Sequence, residues 1–176
     1  MFQVYLTPDV AYNGVGGVFM PKIQWKKLII CLLIPLAVGG LSALLTMDAM
    51  ASFSSLDQPP LSPPAWLFPV VWTILYLLMG LASYLVAVSG ARRAQINAAL
   101  TVYALQLAVN FLWSPIFFNW QAFLLAFLWL ILLWILIFVT LRRFAAISPI
   151  AGWLLVPYLI WVTFAGYLNL GIYLLN

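Results

Sequence analysis

The chain has 176 residues, 67% of them hydrophobic and only 6% charged, with seven Lys or Arg, three Asp or Glu, a formal net charge of +4 and no histidine. A water-soluble domain carries about 25% charged residues, so this composition excludes one, and most of the surface has to face lipid. The missing histidine removes the commonest metal ligand, the usual proximal haem ligand and the usual general base, and the scattered basic pairs exclude the continuous cationic face that nucleic acid requires.

Residues 1–20 come first. Met1 to Phe19 lacks the basic start and apolar core of a signal peptide and the arginines of a transit peptide. Met20 is followed by a short basic stretch and then an apolar run. Residues 1–20 are therefore expected to be a poorly ordered N-terminal extension, and residues 21–176 a single membrane domain.

A helix needs about 20 apolar residues to cross the hydrocarbon layer. The first such run, about 28–47, is uncharged, contains Pro35 and holds the single cysteine, Cys31, which rules out an intrachain disulfide. The second covers about 65–90. No charge occurs from Ala94 to Leu141, a stretch too long for one span and right for two, about 94–117 and 120–141. Turn chemistry at Ser114-Pro115 to Asn119 puts the break there. The fifth run covers about 149–175. The fold class is thus all-α, an integral membrane bundle of five transmembrane helices.

Charge placement tests this layout. With the N-terminus in the cytoplasm, Lys22, Lys26, Lys27, Arg92, Arg93, Arg142 and Arg143 all lie inside, while Asp48, Asp57 and the C-terminus lie outside. That obeys the positive-inside rule. The loop from Asp48 to Pro64 carries Pro59, Pro60, Pro63 and Pro64, which fix φ and remove backbone donors. It reads as a stiff segment, either a lid over the outer mouth of the bundle or a plain connector.

Polar groups inside lipid are costly without partners. Tyr103, Gln106 and Asn110 share a face of the third helix at i, i+3 and i+7. Tyr158, Trp161, Ala165 and Asn169 share one on the fifth, and Trp72, Tyr76 and Gly80 on the second. Two readings stand side by side. The stripes are interhelical glue, or they line a pocket for a flat apolar ligand with a few polar anchors. Of nine tryptophans, Trp25, Trp66, Trp120 and Trp153 lie near span ends, as aromatic belts do, and Trp72, Trp113, Trp129, Trp134 and Trp161 lie deeper. No carboxylate lies within a span, no nucleophile–base–acid set exists and no metal spacing occurs. Gly39 and Ala43 form a small-xxx-small pair, a weak sign of close helix packing.

Three segments carry a resemblance: Pro59 to Gly80 with its proline-rich loop and PVVWTILYLLMG helix, Gln106 to Phe118, and Pro157 to Asn169, PYLIWVTFAGYLN. In that order they resemble the TspO/MBR family, the tryptophan-rich sensory and translocator proteins (peripheral-type benzodiazepine receptors), in its bacterial type. The resemblance covers roughly residues 28–176 and is weaker in the first and fourth helices. It implies a five-helix bundle, often a homodimer, with a cavity opening towards the proline-rich loop. Family members bind porphyrins and other tetrapyrroles, and several bind isoquinoline or benzodiazepine drugs and sterols.

By motif, the resemblance assigns Phe68, Trp72, Tyr76, Gln106, Asn110, Trp161 and Ala165 to the ligand cavity. Two features depart from the family. Ser52, Phe53 and Gln58 stand where members often have Trp-Tyr and a Lys. No basic residue follows Tyr167 or Tyr173, so the vertebrate sterol motif, itself a weak pattern, is missing. The expectation is a membrane receptor for porphyrins and similar flat lipophilic molecules, with no cofactor, no metal and no nucleic-acid partner. Without histidine a metal-free porphyrin suits it better than haem. The alternatives are light-dependent porphyrin breakdown, with Trp72 and Trp161 as the photochemical residues, and facilitated transport of tetrapyrroles. The positive-inside pattern and the absent transit peptide point to a bacterial cytoplasmic membrane.

Overall fold

A computed structural model describes residues 23–53 and 56–176. The expected 1–20 extension lies outside the described residues. Those residues form helices and no strand: α1 (Trp25–Phe53), α2 (Leu67–Ala87), α3 (Arg93–Ser114), α4 (Phe123–Ile147), α5 (Pro149–Trp153) and α6 (Val156–Leu175). A π-helical turn, Pro115–Asn119, extends α3. Five stretches are long and apolar enough to cross a membrane: Trp25–Ala49, Leu67–Ala87, Arg93–Asn119, Phe123–Ile147 and Pro149–Leu175.

Prolines explain two of the departures of these spans from the sequence expectation, whereas the first helix simply runs longer than expected, from Trp25 to Phe53. Pro115 does not break the third span. It has no N–H to give the carbonyl of Phe111 four residues back, and that carbonyl instead accepts a bond from the Ser42 hydroxyl of α1 at 3.1 Å. The helix widens rather than ends, and Trp120 N–H reaches the Pro115 carbonyl five residues back at 3.0 Å. The break comes later, at Trp120–Ala122, where Gln121 has φ 50°. The fourth helix consequently starts at Phe123, and it runs six residues beyond the expected Leu141 end. It carries Arg142 and Arg143 on its last turns.

The fifth span is not one helix. Pro157 cannot donate to the carbonyl of Trp153, so the chain turns at Leu154–Leu155, separating α5 from α6. Ser148 caps α5 by accepting from Ala151 N–H at 3.4 Å. The second helix ends at Ala87, three residues early. There the Ser89 hydroxyl takes the Val86 carbonyl at 2.7 Å, offering the chain an alternative to another helical turn.

Lipid supplies little hydrophobic drive between helices, so close backbone approach and hydrogen bonds have to hold a bundle together. Both are present. α1 lies on α2, α3 on α4, and α4 on α5 and α6. Met79, Leu133, Ile137, Phe144 and Leu155 are fully buried among them. At the α1–α2 crossing, a Cβ on Gly80 would sit 2.8 Å from the backbone of both Cys31 and Leu32, and a Cβ on Gly39 would collide with the ring of Tyr76. The Cys31 carbonyl is the one left without its helical donor by Pro35. A glycine on the facing helix lets that carbonyl approach a Cα hydrogen instead. The rigid atoms on the α1 side leave an added methyl no room. Gly80→Ala is expected to destabilise the bundle by about 1–3 kcal/mol, read as earlier unfolding in mixed-micelle denaturation. Unchanged unfolding would mean that the two helices seat loosely.

Candidate functional site

α2 and α6 run antiparallel, and side chains rather than backbone span the space between them. Phe68 meets Trp161 edge-on with ring centroids 6.0 Å apart. One turn deeper, Trp72 meets Tyr158 edge-on at 6.1 Å and stacks on Tyr76 of its own helix at 5.6 Å. Phe164 leans on Trp161 at 5.7 Å. Ala165, one turn beyond Trp161 on the same face, is buried. Both predicted aromatic stripes therefore face each other.

The predicted stripe of α3 lies beneath this cluster. Gln106, Asn110, Tyr76 and Tyr158 are all buried. Tyr76 hydroxyl donates to Asn110 Oδ1 at 2.8 Å. Asn110 Nδ2 donates to the Tyr158 hydroxyl at 2.9 Å, and Gln106 Nε2 donates to the same oxygen at 3.1 Å. Gln106 Nε2 also lies 3.9 Å from Met79 Sδ. Tyr158 is on a predicted stripe but outside the set carried by the resemblance, and it is the hub of the network. Every pair in the network joins different helices. For Tyr76 and Asn110 the structure shows the glue reading: the polar groups tie three helices together beneath the aromatic cluster. Gln106 Oε1, by contrast, has no partner, and the ring of Tyr103 packs on Phe144 at 5.7 Å.

Asn169 belongs elsewhere. It accepts from Trp113 Nε1 at 3.4 Å and donates to the Phe123 carbonyl at 2.9 Å. It bolts α6 to α3 and α4 towards the C-terminal end of α6, away from the facing rings of Phe68, Trp72 and Trp161.

The proline-rich loop lies against α6. Pro59 covers Gly171 so closely that a Cβ there would sit 2.6 Å from the proline ring. Tyr167 hydroxyl donates to the Pro60 carbonyl at 2.8 Å. Asn176 forms a two-way pair with Asp57, accepting its N–H at 3.1 Å and donating to its carbonyl at 3.0 Å. Sequence reasoning missed Tyr167 and Asn176, because no local spacing connects them with a loop more than a hundred residues away. Within the loop, Pro59 to Ser62 forms a tight turn closed by Ser62 N–H on the Pro59 carbonyl at 3.3 Å. Leu61 takes its third position with φ 67°, where glycine is the usual residue, and is 81% exposed. No group of His, Cys, Asp or Glu able to hold a metal ion occurs among the described residues.

The TspO/MBR family model matches residues 31–175. The chain is 42% identical over 154 residues to the tryptophan-rich protein TspO of Chlorobaculum tepidum, an alignment covering 87% of this chain and 98% of that protein. It is 41% identical over 118 residues to the tryptophan-rich sensory protein of Cereibacter sphaeroides, covering 66% of this chain and 72% of that protein. It is 35% identical over 147 residues to the translocator protein of Bos taurus, covering 82% and 87%.

Proposed function

As the chain belongs to the TspO/MBR family, we propose that this membrane protein binds porphyrins and similar flat lipophilic ligands between α2 and α6. The observation that carries the reading is the facing pair Phe68–Trp161 and Trp72–Tyr158 above a hydrogen-bonded floor. Large rings offer a planar ligand wide contact at small entropic cost. The floor offers it Gln106, whose amide still has a free acceptor. Phe68, Trp72 and Trp161 grip the ring faces. Tyr76, Gln106 and Asn110 orient the polar edge, and Ala165 leaves room beside Trp161. The loop latched onto α6 serves as the lid.

The proposal places the protein in a bacterial cytoplasmic membrane with the N-terminus inside and the C-terminus outside, on the segregation of the basic residues. Pairing of two copies belongs to the same proposal. The test is titration of the purified protein with protoporphyrin IX, followed by tryptophan quenching. Saturable quenching at micromolar or lower ligand is expected. Linear quenching like that of empty micelles would overturn the proposal.

A second reading, light-driven breakdown of the bound porphyrin, is favoured by one observation. Trp72 is stacked on Tyr76, whose hydroxyl is hydrogen-bonded to Asn110, and a tyrosine beside a tryptophan is a ready electron donor. Illumination of the complex should then give a defined product. Bleaching no different from that of free porphyrin in detergent would remove this reading.

A further inference from the structure

Lys26, Lys27, Arg92 and Arg93 are exposed at the starts of α1 and α3. Among the described residues the only acidic side chains are Asp48 and Asp57. Asp48 follows Lys27 by roughly 30 Å of continuous helix, and Asp57 sits in the loop beyond that far end, paired with Asn176. No carboxylate of the described residues therefore stands beside the four cations.

α1 and α3 run side by side in the same direction. The Ser42 hydroxyl bonds to the Phe111 carbonyl at 3.1 Å, and Asn119 Nδ2 bonds to the Leu45 carbonyl at 3.1 Å. Counting back roughly four to five turns from the Ser42–Phe111 bond brings both helices to their basic starts. Gln24 N–H, just before α1, bonds to the Tyr84 hydroxyl near the end of α2 at 3.1 Å, which holds that start level with the short connection from α2 to α3. Between α1 and α3 lies an open groove of about 400 Å³, lined by Ile34 and Val38 on one side and by Ala104, Leu107 and Phe111 on the other. Helical spacing puts Lys27 on the face of Ile34 and Val38, at i+7 and i+11, and Arg93 on the face of Ala104 and Phe111, at i+11 and i+18. Each wall of the groove thus carries a cation at the same end.

That combination matches a lipid rather than a protein. Helical side chains lean towards the N-terminus, so Lys27 and Arg93 reach back to headgroup level, as long basic side chains do at span ends. One leaflet supplies about 15 Å of hydrocarbon, and Ile34 lies roughly 10 Å below Lys27. An acyl chain whose headgroup rests at the two cations therefore enters the groove. A second copy on this face, related by a twofold axis along the membrane normal, would set the four cations against their own duplicates.

We infer that the α1–α3 groove binds one anionic phospholipid, its phosphate between Lys27 and Arg93 and one acyl chain along Ile34, Val38, Ala104 and Phe111. Lys26 and Arg92 add to the attraction. Charge selects the headgroup, and the groove fixes the chain. The site is separate from the aromatic cluster of α2 and α6 and does not depend on what binds there.

The test titrates the full chain in neutral detergent with dioleoyl phosphatidylglycerol or dioleoyl phosphatidylcholine, and counts bound lipids by native mass spectrometry. The first phosphatidylglycerol should bind about tenfold more tightly than phosphatidylcholine. A cation beside an anionic headgroup contributes about fivefold, so Lys27→Gln with Arg93→Gln should weaken phosphatidylglycerol by about twentyfold. Arg142→Gln with Arg143→Gln removes the same charge from α4 and should change it by less than about twofold. Ala104→Phe fills the groove with every cation in place and should weaken phosphatidylglycerol by about tenfold. Glycerol 3-phosphate, which has the phosphate and no chains, should not compete. Equal loss in the two charge variants would reveal diffuse attraction to a basic surface and overturns the inference. Competition by glycerol 3-phosphate, which would mark a site for free phosphate, overturns it as well. So does an Ala104→Phe protein that keeps its lipid affinity, and a dimer that the same change splits would then assign the groove to a second copy.

Discussion

Trp72→Ala combined with Trp161→Ala is expected to weaken protoporphyrin IX binding by about a hundredfold. A buried indole covers 150–250 Å², and contact with a flat ligand uses roughly half of it. At about 25 cal/mol per Å² each ring then contributes roughly 2 kcal/mol to affinity. Two rings contribute about 4, of which part is recovered as the neighbours Phe68 and Phe164 close in. Each tenfold step is about 1.4 kcal/mol, which gives the hundredfold figure. The variants should stay folded, because both positions are only partly buried and pack on other side chains rather than on backbone. Equilibrium titration with circular dichroism as the folding control decides it. Unchanged affinity in a folded double variant would show that the facing rings are helix glue and that the ligand goes elsewhere.

Asn110→Leu is expected to have the largest effect on stability of any single change within the site. The amide bridges α2 and α6 through two short bonds, to Tyr76 at 2.8 Å and Tyr158 at 2.9 Å. Interhelical bonds in membranes average about 0.6 kcal/mol each and reach about 1.7. Leucine removes two such bonds and strands the buried Tyr76 hydroxyl, while the fully buried Tyr158 keeps only the bond from Gln106. The combined loss is about 2–3 kcal/mol. Tyr76→Phe removes one bond alone and should cost less than half of that. In the double variant the two losses should fall short of additivity by about 1 kcal/mol, the coupling expected for residues that share a hydrogen bond. Denaturation in mixed micelles reads all three numbers. Strict additivity would mean that the Tyr76–Asn110 bond contributes nothing.

Much of this arrangement was legible in the sequence, for definite reasons. The five spans follow from lipid thickness and the length of uncharged runs. The stripe Tyr103, Gln106, Asn110 follows from helical periodicity, and all three are buried. Gly80 was visible as part of the Trp72–Tyr76 face, although its partner, the backbone of Cys31 and Leu32, was not. The prolines misled twice in opposite senses. At Pro115 a freed carbonyl found Ser42 on another helix, and the span continued. At Pro157 the span turned at Leu154–Leu155. Local chemistry is the same in both cases, and only tertiary partners distinguish them. For the same reason the stripe of the fifth span divides between two roles. Tyr158 and Trp161 meet α2, whereas Asn169 is occupied by α3 and α4. The contacts of Tyr167 and Asn176 with the loop depend on where the chain returns, which periodicity does not record.

The attachment of the loop has a consequence for time rather than affinity. Its far end continues directly into α2, and its near end is held by Asn176, the residue that follows α6. The N-terminal end of α2 and the C-terminal end of α6 are therefore clasped, and they cannot swing apart until Asn176 and Tyr167 let go. Leu61 works against the clasp, since a left-handed backbone at a branched residue costs about 1–2 kcal/mol that an open loop recovers. Such a clasp opens at its own pace, whatever waits outside. The rate at which a ligand associates should then rise with concentration only at first and afterwards level off, at the frequency with which the loop releases α6.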